Sequence, residues 1–330
     1  MKKSLYIFSQ GKLARKDNTL CFETEQGKKH IPVEDTSDIF VFGEADINKK
    51  LLEFLSQKEI LMHYFNYHGY YMGTFYPREH LNSGHIILQQ ASNYIDHDKR
   101  IVIARKFVQG ALQNILQVLN YYNNRGKDVK EKQEKVRKLL ENTDSYQEIS
   151  QLMALEGNAR EQYYGCFDSI LENSSFTFGA RSKRPPHNEL NSLISFGNTM
   201  LYTVVLSEIY KTHLDPRIGF LHATNFRRFS LNLDIAEIFK PIIIDRIIFK
   251  LLAKKMITKK DFDKKLEAIV IKDKGKKIFV EEFDQRLETT IKVRELNKKV
   301  SYRYLIRLEL YKLEKHLMGE KEYQPYVSRW

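Results

Sequence analysis

The first eighty residues alternate between short apolar runs and polar turns, a pattern typical of β-strands. A predicted helix interrupts them, in which Leu51, Leu52 and Leu55 form an apolar stripe and Asp46 is a plausible cap. Six runs are rich in β-branched and aromatic residues: SLYIFSQ, TLCFETEQ, KKHIPVED, DIFVFGE, ILMHYFN and GYYMGTFYP. We therefore expect a small β-rich domain over residues 1–80.

Beyond this domain, apolar residues recur at spacings of three and four, which predicts amphipathic helices. The predicted helices cover residues 85–122, 145–172, 189–212, 230–239, 242–256, 259–268 and 278–318. The segment after Gly319 shows no such pattern and is expected to be loose. The sequence thus predicts an α+β fold class, with the β-rich domain followed by a larger all-helical domain over residues 81–330.

The net positive charge of the chain is confined to the predicted helical domain. The formal net charge is +12, yet residues 1–80 hold 11 Lys and Arg against 11 Asp and Glu. An excess of this kind indicates a polyanionic partner, most simply a nucleic acid. A lysine-rich solvated surface would give the same total, so charge alone leaves both interpretations open.

Cysteine usage and hydropathy favour a cytoplasmic protein without a membrane partner. Cys21 and Cys166 are the only cysteines and form no CxxC motif, which argues against a disulfide framework or a cysteine-ligated zinc site. No apolar run reaches the length of about 18 residues that a membrane-spanning helix needs. The apolar stretch after the first lysines is also too short for a signal peptide.

Four residues of the helical domain could carry chemistry. Asp234 and Glu237 are three residues apart on a predicted helix, which puts two carboxylates on one side of it. They repel each other unless a cation or a proton lies between them. His222 precedes this helix, and Glu156 lies within another helix beside Gly157, a poor helix former that would allow a close approach to the backbone.

One histidine and two or three carboxylates form an oxygen-rich ligand set that suits Mg²⁺ or Mn²⁺. The same spacing would also arise from a structural histidine and a solvated acidic face. Arg227 or Arg228 could simply pair with Asp234, and nothing in the spacing brings Glu156 to the other three residues.

Basic and aromatic side chains crowd the same region and are candidates for binding DNA. Arginine binds phosphate through its planar guanidinium, and a tyrosine can stack on a base at the end of a strand. One of the two neighbouring tyrosines, Tyr163 and Tyr164, could equally be a core residue. The candidates are Arg160, Tyr164, Arg184, Arg217, Arg227 and Arg228.

Several blocks, in order along nearly the whole chain, resemble the CRISPR-associated adaptation integrases, also called universal CRISPR-associated endonucleases. The blocks are LEGNAREQYY, RSKRPPHNELNSLISFGNTMLY, LDPRIGFLHATNFRRFSLNLDIAEIFKP, IPVEDTSDIFVFGEADINKKLLEFL and GYYMGTFYPRE. The resemblance implies an N-terminal domain through which two copies form a homodimer, and a C-terminal catalytic domain.

The resemblance also implies which residues bind the metal. The family motif falls on Glu156, His222 and Glu237 as ligands of Mg²⁺ or Mn²⁺, and a further catalytic acid falls on Asp234. Many members carry Asp where this chain has Glu237, so the third ligand could be either acid. We favour Glu237, with Asp234 outside the ligand set or accepting a proton.

The activity implied by the resemblance is metal-dependent cleavage and strand transfer on DNA. The 3′-hydroxyl of a short foreign duplex would attack a phosphodiester at the edge of a CRISPR repeat, and a small CRISPR-associated protein would bridge two dimers. Two alternatives remain from the residues alone. One is a non-catalytic DNA-binding scaffold, and the other is a helical RNA-processing enzyme that works by acid–base catalysis without a metal.

Overall fold

The chain forms two compact units in a computed structural model, Met1–Asn82 and Ser83–Trp330. The structure describes residues 2–78, 81, 83–173, 175–222, 229–265, 268–293 and 297–329. The predicted fold class is confirmed, since the first unit is rich in strands and the second is mainly helical.

In its described residues, the first unit contains two four-stranded sheets and one α-helix. One sheet has the order β1-β5-β7-β8, in which β1, β5 and β7 are parallel, and the other has the order β4-β3-β2-β6. All six residues of β5 are buried, as expected for a central strand. The strands are β1 Lys3–Ile7, β2 Gly11–Lys16, β3 Thr19–Thr24, β4 Gly27–Pro32, β5 Thr36–Val41, β6 Ala45–Asp46, β7 Leu61–Phe65 and β8 Tyr71–Phe75.

Helix α1, Lys49–Gln57, buries Leu51, Phe54 and Leu55 in the core of this unit. Asn48 caps the helix by accepting a hydrogen bond from Leu51 N, so the predicted cap at Asp46 was wrong. Strand β2 also lies outside the six runs that predict strands. Its Leu13 is fully buried while its charged residues lie at the surface, an alternation too short and too polar to stand out in the sequence.

Ten helices are found in the described part of the second unit. They are α2 Gly84–Ile95, α3 His97–Asn123, α4 Lys130–Glu141, α5 Ile149–Tyr164, α6 Phe167–Leu171, α7 Glu189–Ile209, α8 Leu231–Phe239, α9 Arg246–Ala253, α10 Asp273–Glu288 and α11 Tyr302–Leu317. Helix α8 packs against α3 and α7, and α5 packs against α3. No helix of the described residues is both long and apolar enough to cross a membrane.

The second unit is not entirely helical, because two short hairpins replace parts of the predicted helices. Strands β9 Phe262–Lys265 and β10 Ala268–Ile271 pair where a helix was predicted over 259–268. Strands β11 Thr290–Val293 and β12 Lys298–Ser301 interrupt the helix predicted over 278–318. The sequences AIVI and TIKV are β-branched, which favours strands over helices.

Two predicted long helices are each divided into two. Asp96 ends α2 and caps α3 by accepting a hydrogen bond from Lys99 N at 3.1 Å. This cap lies within the stretch 85–122, whose uninterrupted apolar spacing hides the break. Gly165 and Cys166 separate α5 from α6 within 145–172, where no side chain caps the second helix.

The segment after Gly319 is packed against the core rather than loose. Tyr323 is 1% exposed and donates a hydrogen bond to Glu309 Oε1 at 2.5 Å. The ring of Tyr326 stacks on Phe239, the last residue of α8. Aromatic burial therefore anchors this segment, although its spacing fits neither helix nor strand.

Candidate active site

The carboxylate of Asp234 organises the loop that precedes α8. Asp234 is fully buried, and its Oδ2 accepts hydrogen bonds from Phe220 N at 2.6 Å and Leu221 N at 3.0 Å. Its Oδ1 accepts from His222 N at 2.9 Å and contacts His222 Nδ1 at 2.8 Å. Because both oxygens are used in this way, Asp234 holds the His222 loop against the helix.

Gly219 and Ser230 bring this loop close enough for Asp234 to reach it. Gly219 N donates to Ser230 Oγ at 2.8 Å, and Ser230 Oγ donates to Arg217 O at 2.7 Å. A Cβ atom at residue 219 would lie 2.8 Å from Asp234 Oδ2. Only glycine leaves room for the carboxylate at this position.

Asp234 also determines which ring nitrogen of neutral His222 carries the proton. Its carboxylate accepts from Nδ1, so the neutral ring keeps its lone pair on Nε2. The side chain of His222 is 15% exposed. Burial lowers the pKa of His222, but the hydrogen bond from His222 to Asp234 and the charges of Asp234 and Glu237 outweigh it and raise the pKa above its usual value.

The guanidinium of Arg160 joins the two glutamates. Arg160 Nε donates to Glu156 Oε1 at 2.8 Å, and Arg160 Nη2 donates to Glu237 Oε2 at 2.7 Å. Lys240, one turn after Glu237, makes a close ion pair with Glu237 Oε1. Helices α5 and α8 thus meet through two acids and two cations.

Pro241 explains how Arg160 also binds the backbone of α8. Proline has no N–H, so it cannot donate the α-helical hydrogen bond to the carbonyl of Glu237. Arg160 Nη2 donates to that carbonyl at 2.9 Å. A π-helical turn, Pro241–Asp245, follows, and Asn114 Nδ2 of α3 donates to Ile238 O at 2.9 Å.

The two glutamates ionise differently because their surroundings differ. Burial raises the pKa of Glu156 and the charge of Glu237 raises it further, against the opposing effect of Arg160 and Lys240. For Glu237, burial is outweighed by the charges of Lys240, Arg160 and His222, so its pKa falls well below the usual range. Glu237 is therefore the more readily ionised acid of the pair.

The chemistry of these side chains suits a divalent cation of the Mg²⁺ or Mn²⁺ type. Glu156 and Glu237 would supply carboxylate oxygens, and His222 would supply Nε2, since its other nitrogen is held by a carboxylate, as is usual for a metal-binding histidine. Across the described residues, no three His, Cys, Asp or Glu side chains are close enough together to hold an ion. Arg160 and Lys240 neutralise the glutamates instead.

Comparison with known proteins identifies the family. The family model described as CRISPR associated protein Cas1 matches residues 5–285. The CRISPR-associated endonuclease Cas1 2 of Thermodesulfovibrio yellowstonii is 58% identical over 330 residues, which cover 100% of each chain. The chain belongs to the Cas1 family. The resemblance predicted from the sequence blocks is confirmed.

Solved structures agree with this membership. A CAS1 protein from Thermotoga maritima is 50% identical and superposes with a TM-score of 0.90, covering 98% of this chain and 99% of that chain. A casposase bound to an integration product shares the Cas1 fold at 19% identity, with a TM-score of 0.88 over 100% of this chain and 96% of that chain.

Two of the residues predicted to bind DNA are buried in this Cas1 fold. Arg160 is 7% exposed and committed to the two glutamates, because it links α5 to α8. Tyr164 is also 7% exposed and packs against Phe167 and Phe178, so its ring belongs to the core and not to a surface that stacks on bases. Tyr163 is buried as well.

The other predicted DNA-binding residues stay predictions. Arg184 and Arg217 are exposed, and Arg217 pairs with Asp215 at 2.5 Å. Arg227 and Arg228 lie outside the described residues. Gly157 faces open space, since a Cβ atom there would meet nothing within 4 Å among the described residues, so the packing of this chain does not require a glycine beside Glu156.

Sequence reasoning missed Lys240 and Asp245, which share the electrostatic environment of Glu237. Lys240 is 6% exposed, and its ammonium lies 4.8 Å from the ring centroid of Tyr202. Asp245 is 1% exposed and ends the π-helical turn. The i,i+3 spacing of Glu237 and Lys240 is a visible signal for the first. No pattern in the sequence marks the second.

Proposed function

We propose that this Cas1 family member is a metal-dependent DNA endonuclease and integrase of CRISPR adaptation. In this role it inserts short foreign DNA as spacers, through attack of a 3′-hydroxyl on a phosphodiester at the CRISPR repeat. The observation that carries the proposal is the pairing of His222 Nδ1 with the buried Asp234 carboxylate, 2.8 Å away. It presents His222 Nε2 in the domain that also carries Glu156 and Glu237.

Glu156, His222 and Glu237 are the residues that would hold Mg²⁺ or Mn²⁺. When bound, such an ion activates the attacking hydroxyl or water and stabilises the charge on the phosphate. Asp234 acts from outside this set, because its oxygens already accept hydrogen bonds from three backbone N–H groups and from the ring of His222. It keeps the ring oriented and holds the proton of the neutral ring on Nδ1, so that Nε2 carries the lone pair.

The basic charge of the second unit supports DNA as the substrate. The whole excess of +12 belongs to it, and Arg184 and Arg217 are exposed, the latter as the partner of Asp215. Such contacts hold a backbone in place without reading bases, which suits an enzyme that must join many different foreign sequences to one repeat. The fold shared with a casposase bound to an integration product supports the same reaction class.

We further propose that two copies associate through the β-rich first unit and that a small CRISPR-associated protein bridges two such dimers. The support for both is family membership, together with the neutral charge of residues 1–80, which removes long-range repulsion between two copies of this unit.

The proposal is tested by strand transfer into a supercoiled plasmid that carries a repeat array, with short duplex DNA and Mn²⁺. The wild type is compared with His222→Ala and Glu156→Ala, each with and without the small bridging protein. We expect both variants to lose product at least 100-fold while keeping most of their DNA affinity, because phosphate contacts dominate binding.

A matched control is Glu161→Ala, which removes an exposed glutamate within the same helix α5. It should react like the wild type. Product that persists in His222→Ala, or in EDTA, would contradict the proposal. Absence of product under every condition with intact DNA binding would favour the non-catalytic DNA-binding scaffold, in which Arg160 and Lys240 permanently neutralise the glutamates.

A further inference from the structure

Asp245 is a buried carboxylate that the proposed reaction does not use. It is 1% exposed, and its backbone N–H bonds to Lys240 O at 3.1 Å, five residues back, in the π-helical turn. Neither of its carboxylate oxygens has a hydrogen-bond partner among the described residues. No other carboxylate among the residues that the structure describes has both oxygens buried and unpaired. A buried carboxylate without partners is costly, so it calls for an explanation.

The groups that face Asp245 come from both sides of the candidate active site. Burial raises the pKa of Asp245, Arg160 and Lys240 lower it, and Glu237 adds to the increase, with the result that the pKa is about 7. Tyr163 favours the charged form, although its hydroxyl lies outside good hydrogen-bond geometry. The charge of Asp245 also acts to raise the pKa of Tyr164 and that of Arg181.

Arg160 has a donor that matches this acceptor. Its Nε and Nη2 are bound to Glu156 and Glu237, whereas Nη1 is buried and has no partner in the described part of the chain. The charge of Asp245 in turn raises the pKa of Arg160. An unpaired donor and an unpaired acceptor of opposite charge therefore share one buried region.

Arg160 holds Glu156 Oε1 and Glu237 Oε2, and Lys240 holds Glu237 Oε1. A divalent cation that binds these glutamates therefore competes with Arg160 for carboxylate oxygens. A buried guanidinium that leaves its acceptors needs another anion nearby, because an uncompensated buried charge is strongly unfavourable. Asp245 is placed to take that role.

We propose that Asp245 is the alternate acceptor for Arg160, which receives the guanidinium when the two glutamates turn to a metal ion. The inference rests on the proposed metal-dependent function. Asp245 acts through Arg160 and is a positioning residue.

The test is a titration with Mn²⁺ alone, followed by electron paramagnetic resonance of the free ion, on the full chain without DNA. Asp245→Asn keeps the shape of the side chain and removes its charge. We expect it to weaken Mn²⁺ binding by about 10- to 100-fold, the effect typical of residues that support metal ligands. Glu208→Gln is the control, since it removes the charge of a buried carboxylate on α7 whose partners are Lys211, Arg303 and Arg307.

The decisive comparison repeats Asp245→Asn in an Arg160→Gln background. Without Arg160 there is no guanidinium for Asp245 to accept. In that background, Asp245→Asn should therefore change the Mn²⁺ affinity less than about threefold. Equal losses in both backgrounds would overturn the inference, and so would an unchanged affinity in Asp245→Asn alone. The proposed metal function would survive either result.

A further measurement does not depend on the folding of the Asp245 variant. If Arg160 competes with the ion, Arg160→Gln by itself should bind Mn²⁺ at least as tightly as the wild type. A loss of tenfold or more in a protein with wild-type circular dichroism would overturn the inference. Absence of Mn²⁺ binding to the wild type would overturn both the inference and the proposed function.

Discussion

Asp234 and Glu237 lie three residues apart on α8, yet their carboxylates meet different partners. Asp234 accepts hydrogen bonds from three backbone N–H groups and the ring of His222, whereas Glu237 is bound by Arg160 and Lys240. Backbone donors cannot move away without unfolding the loop, but long cationic side chains can change rotamer. The two acids therefore differ in whether they can be released to a ligand.

This difference predicts the effects of two conservative substitutions on metal affinity. Glu237→Gln removes a proposed metal ligand and should weaken Mn²⁺ binding more than Asp234→Asn, which acts only through the orientation of His222. Asp234→Asn should instead lower the melting temperature more, because an amide cannot accept from all four donors at once. Calorimetric Mn²⁺ titrations and thermal melts measure both effects, and the reverse order of affinities would exchange the two roles.

Glycines 219 and 157 form a matched pair for testing the His222 loop. Gly219→Ala places a Cβ 2.8 Å from Asp234 Oδ2 and should reduce the free energy of unfolding by about 1–3 kcal/mol. In Gly157→Ala, the new Cβ has no atom within 4 Å among the described residues, and alanine favours a helix by about 1 kcal/mol over glycine. This variant should therefore not be destabilised.

Urea unfolding of the two variants measures these free energies. If Gly219→Ala were as stable as the wild type, the close approach of the loop to Asp234 would be wrong. A destabilised Gly157→Ala would indicate that something packs against α5 that the described residues do not include.

At the scale of elements, side chains bind backbone carbonyls where α8 gives way to the π-helical turn. Arg160 binds the carbonyl of Glu237, Asn114 that of Ile238 and Arg286 that of Ile242. Pro241 makes the change of helix type visible in the sequence, but not which side chains respond to it. Those side chains come from α5, α3 and α10, and only the packing of these helices selects them.

Glu208 joins α7 to α11 and gives the fold a pH-dependent link. Burial raises its pKa, but the charges of Lys211, Arg303 and Arg307 outweigh it and lower the pKa to about 2. A carboxyl group with a depressed pKa stabilises the fold above its ordinary pKa of about 4.5, and this contribution disappears as pH falls toward 2.

Glu208→Gln should therefore reduce the free energy of unfolding by on the order of 3 kcal/mol at pH 7. The difference from the wild type should shrink steadily as the pH is lowered below about 4.5. Thermal unfolding of both proteins between pH 7 and pH 3 measures this. A gap that stays constant over this range would show that the charge of Glu208 is not what links the helices.

At the scale of the whole molecule, the sequence predicts what local patterns encode. Alternation of apolar residues indicated the β-rich unit, and the spacing of His222, Asp234 and Glu237 indicated the loop and helix that carry them. The bridge from Glu156 to Glu237 through Arg160 could not be predicted, because it depends on the packing of α5 beside α8. The same holds for Tyr323 and the segment around it, whose burial depends on contacts with Phe107 of α3 and Glu309 of α11.

The docking of that segment has a consequence for how the second unit acquires its structure. Asn114 Oδ1 accepts from Ser328 N at 2.8 Å, and Asn114 Nδ2 donates to Ile238 O and Tyr326 O, so one side chain ties together parts of the chain more than 200 residues apart. Contacts of such sequence separation close late and slow folding, because a long loop must be ordered first. On the ribosome, the β-rich unit can fold as soon as it emerges, whereas the helix that carries Asp234 and Glu237 is not locked in place until synthesis has passed Ser328.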